Sequence, residues 1–184
     1  MRTFLDRLHD LKLKEIALRR KKISEKSLRG QTETLVNAPD FRTNLLRKPD
    51  GAISLITEVK SKAPGRNNVE RLDPEAVVCD YEAGGAKAIS VLTDENWFGG
   101  SLETLEKVHK ATALPLLHKE FIITSYQLLE GRVRGSSAAL ILAYYFQETE
   151  LSQIIAEAKI IGVEAVVECS LESELPRTLA VNPD

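Results

Sequence analysis

Residues Leu114–Leu142 read LPLLHKEFIITSYQLLEGRVRGSSAALIL, and the order of residue types in that stretch decides the fold. Leu114–His118 is a short apolar run without polar alternation, the mark of a strand covered on both faces. Ser125 to about Arg134 reads as helix and stops before Gly135, and Ala138–Leu142 is a second continuous apolar run. Apolar strand, helix, apolar strand is the parallel unit, whose crossover is right-handed.

The same rhythm continues in both directions. Toward the N-terminus, Ala88–Leu92 and Ile53–Val59 are strand candidates, and a helix is expected from about Ser101 to Lys110. Asp73-Pro74 opens another helix through about Ala83, with Asp as N-cap and Pro at the first helical position, and Gly84-Gly85 ends it. Toward the C-terminus, a helix from about Glu148 to Ile161 stops at Gly162, Glu164–Val167 is the fifth strand, and residues 171–180 read as helical. Strand starts near 53, 88, 114, 138 and 164 recur about every 25 residues after a longer first unit.

A doubly wound sheet and a TIM-type (β/α)8 barrel share this rhythm. The placement of polar residues favours the barrel. Glu58 and Lys60 fall at the end of the first strand, Lys119 and Glu120 at the end of the third, and Glu168 at the end of the fifth. In a barrel those ends converge on one mouth, where the βα loops build active sites. Lysines and carboxylates gathered there form acid–base machinery, because burial and mutual charge shift them toward proton exchange near neutral pH. A single Lys or Glu at a strand end is more often solvated; three strands repeating the pattern point to a site.

Composition is that of a globular chain: of 184 residues, 43% are hydrophobic and 28% charged. No apolar run reaches the ~18–20 residues of a membrane span, and charges occupy the place of a secretory signal's apolar region. Cys79 and Cys169 are isolated, without metal-ligand spacing, and read as reduced thiols of a cytoplasmic protein; no metal site is expected. The net charge of −2 is uneven: residues 1–48 hold 13 Lys/Arg against 6 Asp/Glu, and residues 49–184 hold 12 against 21. Residues 3–28 predict one long amphipathic helix with Leu5, Leu8, Ile16 and Ile23 as its apolar stripe. The basic run Arg19–Lys22 therefore reads as a solvated helix face rather than a nucleic-acid arm, since no aromatics interleave it. A polar connector with Gly30 and Pro39 follows, and Phe41–Leu46 adds a short helical turn. Residues 1–48 thus form a helical extension and 49–184 the barrel portion of a single domain.

Several motifs, in order, resemble those of the indole-3-glycerol-phosphate synthase family. Ile56-Thr57-Glu58-Val59-Lys60-Ser61-Lys62-Ala63-Pro64 is similar to its first-strand motif, Glu-x-Lys followed after two residues by Ser-Pro-Ser. Asp73-Pro74, Tyr81–Ala86, Ile89–Glu95 with Phe98 and Gly100-Ser101, Lys119–Ile123 with Tyr126-Gln127, and Val166–Glu168 continue the likeness, as does the N-terminal helix. The resemblance implies ring closure and decarboxylation of a phosphorylated small molecule, 1-(2-carboxyphenylamino)-1-deoxyribulose 5-phosphate, without cofactor. It implies Lys119 as principal general acid, Glu168 as general base, Lys60 near the substrate carboxylate or phosphate and sharing acid duty, and Glu58 pairing with a lysine. Lys60, Pro64, Phe98, Phe121 and Leu140 are the implied substrate contacts, the three apolar ones standing even with an ordinary barrel core.

Departures are confined. Ala63 and Gly65 stand where the family has serines, Trp97 replaces a tyrosine, and Glu120 an aspartate. The family continues with three further βα units that carry phosphate-binding loops. The expectation is therefore an incomplete barrel of about five βα units, whose first and fifth strands present unpaired edges open to self-association. Nucleic-acid and membrane partners are not expected.

Overall fold

The computed structural model describes residues 3–46, 51–63 and 73–183; Pro64 and Gly65 lie outside them. Five strands form one parallel sheet in the order of the chain: β1 (Ile56–Val59), β2 (Ala88–Leu92), β3 (Leu116–Lys119), β4 (Ala138–Leu142) and β5 (Glu164–Glu168). The helices are α1 (Phe4–Lys22), α2 (Glu25–Thr32), α3 (Phe41–Leu45), α4 (Pro74–Ala83), α5 (Glu95–Phe98), α6 (Leu102–Ala111), α7 (Ser125–Val133), α8 (Glu148–Ile161) and α9 (Leu175–Ala180). Among the described residues β1 pairs only with β2 and β5 only with β4.

Local chemistry accounts for most boundaries. Asp73 accepts a hydrogen bond from Glu75 N and Pro74 opens α4; Gly162, at φ 79°, ends α8. The first strand is shorter than its sequence predicts. Ile53 is 90% exposed, and the ladder starts only where Ile56 meets Ala88.

The long N-terminal helix is broken. Ile23 turns to extended geometry, and Ser24 Oγ accepts from Ser27 N to start α2 anew. The break leaves the Ile23 carbonyl free to accept the Tyr126 hydroxyl of α7 at 2.9 Å. Ile16 and Leu28 then join one apolar cluster with Leu128, Leu129, Ile141 and Leu151, so the extension packs against the barrel's helical shell.

Strand pleating sorts the side chains into two layers. Val59, Ile89, Val91 and Leu116 face the helices with Val78, Leu105 and Val108. Ala88, Leu117, Ala138, Leu140 and Val166 face inward, with Phe41 and Leu45 of α3 beneath them. Glu164 fixes that floor: its carboxylate accepts from Phe41 N at 2.5 Å and Arg42 N at 2.9 Å, at the N-terminus of α3.

Close packing between β3 and α7 yields a paired test. A Cβ on Gly131 would overlap His118 Nδ1 and lie 3.0 Å from its Cγ, on a ring that is 1% exposed, whereas a Cβ on Gly30 meets nothing within 4 Å. Gly131→Ala is expected to cost ~1–3 kcal/mol in urea unfolding. Gly30→Ala, in the last turn of α2, is expected to gain up to ~0.5–1 kcal/mol.

Candidate active site

The pleat that carries Leu117 inward carries Lys119 inward one step later, at the C-terminal end of β3. The ladders place Leu92 beside Lys119 and Leu142 beside Glu168. Glu58 points into the same space from β1. Together with Lys60, Phe98, Phe121 and Leu140 these residues line a cavity of about 280 Å³.

Glu58 is the hub. Its Oε1 accepts from Lys60 Nζ at 2.7 Å and its Oε2 from Lys119 Nζ at 2.9 Å. Burial pushes its carboxyl up, but the two ammonium groups outweigh burial and hold it below the usual carboxylate range. Glu168 stands on the far wall and, among the described residues, has neither an ion pair nor a side-chain hydrogen bond. The cavity thus holds an anion clasped between two cations, faced by a second carboxylate across an apolar gap.

Two adjoining aromatic rings line that space. Phe98 and Phe121 lie with centroids 6.1 Å apart and planes inclined by 35°. Both are half-buried and, with Leu140, line the cavity, although Leu140 also packs against the interior cluster. Phe98 sits on α5, which the sequence did not predict; Asp94 caps it, Oδ1 accepting from Trp97 N at 2.6 Å and Phe98 N at 3.2 Å. Phe121 is fixed through its own backbone: N donates to Glu120 Oε1 at 2.7 Å and O accepts from Gln127 Nε2 at 2.9 Å.

The start of α1 borders the mouth, a role the sequence left unread. Leu5 lines the cavity, Phe4 meets Trp97 edge-on at 4.8 Å, and the Tyr144 hydroxyl donates to Asp6 at 3.0 Å. The basic face of this helix is not simply solvated. Arg19 pairs with Glu130 at 3.0 Å and Arg20 lies 4.9 Å from the centre of the Tyr126 ring, and on α2 Arg29 pairs with Glu157 at 2.9 Å. Lys12, within the expected apolar stripe, is 1% exposed and pairs with Asp94 at 2.7 Å, Glu15 at 2.9 Å and Glu120 at 3.1 Å. Burial opposes its charge, yet these carboxylates outweigh burial and shift its pKa upward. Glu120 therefore belongs to this buried network as much as to the mouth, and burial raises its pKa despite Lys12.

Beneath it, His118 points outward on β3, its Nε2 2.9 Å from Thr93 Oγ1. Burial, with the nearby cations Arg19, Arg134 and Lys12, pushes it down to about 3 from 6.5. Among the described residues no group of three His, Cys, Asp or Glu could hold a metal ion, and no helix is long and apolar enough to cross a membrane.

A family model described as indole-3-glycerol phosphate synthase matches residues 5–184. The protein of that name from Streptomyces griseus subsp. griseus is 36% identical over 176 residues, which is 95% of this chain and 64% of that one. Its counterpart in Sulfurimonas denitrificans is 36% identical over 79% of this chain and 56% of its own, and that in Desulfosudis oleivorans 34% over 95% and 67%. The chain thus spans between 56% and 67% of the length of these relatives.

The buried histidine has a measurable signature. The unfolded chain protonates His118 near its ordinary 6.5 while the folded chain resists until about 3, so the stability it confers is complete above 6.5 and is lost as pH falls through that window. Glu130, raised by burial to about 7, acts in the opposite sense: its contribution is lost as pH rises toward 7. The comparison of wild type with His118→Gln isolates the first. The stability difference between them is expected to shrink by about 1.4 kcal/mol per pH unit below 6.5 in urea titrations; a constant difference would contradict the assignment.

Proposed function

The chain belongs to the indole-3-glycerol phosphate synthase family, and from that premise we propose that its cavity performs the acid–base chemistry of indole ring closure. The substrate is 1-(2-carboxyphenylamino)-1-deoxyribulose 5-phosphate. The observation that carries this reading is the clasp of Glu58 by Lys60 and Lys119 opposite Glu168, beside two aromatic walls.

The substrate's aryl ring packs against the adjoining Phe98 and Phe121 rings and leaves its ketone beside Lys119. The ring carbon bearing the carboxylate attacks the ketone carbon as Lys119 donates a proton to the oxygen, forming the new carbon–carbon bond and an alcohol. Carbon dioxide then leaves and the six-membered ring regains aromaticity. Lys60, sharing acid duty, gives the second proton with which the hydroxyl leaves as water, and loss of a ring proton to Glu168 makes the five-membered ring aromatic. Lys60 also attracts the substrate's carboxylate or phosphate. Glu58 holds both ammonium groups in place and supplies the counter-charge that favours their protonated forms. Pro64 remains a proposed contact in the first βα loop. The chemistry uses side chains alone, and the cytoplasm, where Cys79 and Cys169 stay reduced, is the proposed location.

A second reading is favoured by the two strand edges with a single neighbour each among the described residues. On that reading the chain is a fragment or interaction protein of the family that associates through β1 and β5, and turns over substrate only when complementary strands cover them. Sedimentation velocity separates the two: a monomer with turnover supports the first reading, and an inactive self-associating species the second.

Indole-glycerol fluorescence on addition of substrate measures the reaction directly. Lys119→Met and Glu168→Gln are each expected to lower kcat by at least about a hundredfold, the scale of a lost general acid or base. Wild-type rates in both variants would overturn the roles assigned.

A further inference from the structure

Lys12 lies on the third turn of α1, outside the cavity, yet its ammonium touches the supports of both aromatic walls. Asp94 Oδ2 is 2.7 Å from Lys12 Nζ, while Asp94 Oδ1 accepts the Trp97 and Phe98 amides. Glu120 Oε1 is 3.1 Å from the same Nζ and accepts the Phe121 amide. Glu120 Oε2 in turn accepts from Thr93 Oγ1 at 3.3 Å, next to Asp94 in the chain. Glu15 adds a third tie, receiving Lys12 at 2.9 Å and Asn96 Nδ2 of α5 at 2.6 Å.

Lys12 and Asp94 are at most 1% exposed and Glu120 is 7% exposed. Two carboxylates that close together out of water repel each other, and only a shared cation lets both keep their places. Each carboxylate also positions the backbone from which one phenylalanine projects. The distance between the walls is thereby coupled to a residue of the N-terminal helix.

We propose that Lys12 is a positioning residue for the aromatic-ring subsite, its ammonium being the common counter-ion through which Asp94 and Glu120 set the separation of Phe98 and Phe121. This rests on the reading of the cavity as the site that receives the substrate's aryl ring. Lys12 itself touches none of Glu58, Lys60, Lys119 and Glu168, nor the reacting atoms. Its effect falls on how firmly the ring is held, and so on KM more than on kcat.

The test is Lys12→Met in the full chain, read three ways. Trp97 is the sole tryptophan and stands beside Phe98 on α5, so its emission and acrylamide quenching report whether that wall stays seated. Anthranilate binding, by calorimetry, reports the ring subsite, and steady-state kinetics separate KM from kcat. In a variant that unfolds cooperatively we expect a red-shifted, more readily quenched Trp97, anthranilate affinity lower by about tenfold, and KM raised by about tenfold with kcat changed less than about threefold.

Unchanged Trp97 emission with unchanged anthranilate affinity would overturn the proposal, as would a loss confined to kcat. Removal of a buried partner strands two charges, so K12M/D94N/E120Q provides the companion: it leaves no stranded charge and keeps both amide acceptors while lacking the ammonium. If K12M does not fold, this variant must show the same Trp97 shift, and wild-type behaviour there overturns the proposal. If the wild-type chain does not bind anthranilate, the reading of the cavity fails, and the Trp97 response still decides what Lys12 holds in place.

Discussion

The pleat of the parallel sheet is the constraint on which everything else depends. Successive residues of a strand point to opposite faces, so His118 and Lys119, adjacent in sequence, enter opposite environments. Lys119 reaches the cavity and meets Glu58; His118 enters the layer under α7, where burial denies it a proton. A one-residue slip of β3 would exchange them, placing an ammonium against Gly131 and an imidazole in the mouth. The register Leu92 beside Lys119 and Leu142 beside Glu168 is therefore as much a part of the site as the side chains themselves.

A second layer of organisation sits on that register. The barrel interior is closed below by α3, whose amides Glu164 receives, and bordered above by the first turn of α1, which brings Leu5 to the cavity. The extension is thus not an appendage. Its acid–base pairs with α7 and α8 and its buried Lys12 make it part of the wall that shapes the site.

Much of this was legible in the sequence because the signals were local. Largely apolar runs gave β2 and β4 with their observed bounds, and Asp73-Pro74 and Gly162 marked helix ends that depend only on neighbouring backbone. Glu58, Lys60, Lys119 and Glu168 could be placed together because parallel strands bring their C-terminal ends to one side. What escaped notice depends on contacts between distant segments. Lys12 went unread because nothing near it in sequence announces Asp94 and Glu120, 82 and 108 positions away. Glu120 read as part of the mouth because spacing fixes which strand end a residue occupies, not which way its carboxylate turns. The break at Ile23-Ser24 carried a visible cap in Ser24, but the apolar stripe extending to Ile23 concealed it.

The central claim is that Lys119 and Glu168 act on a substrate whose ring lies against Phe98 and Phe121. A crystal structure of the chain with an analogue whose ketone is reduced to an alcohol tests it most directly, because such a ligand binds but cannot close its ring. The account predicts the aryl ring packed against the two phenylalanines, the alcohol oxygen within hydrogen-bond reach of Lys119 Nζ, and Glu168 facing it from β5. A ligand bound outside this cavity, or one whose alcohol turns away from Lys119, would contradict it.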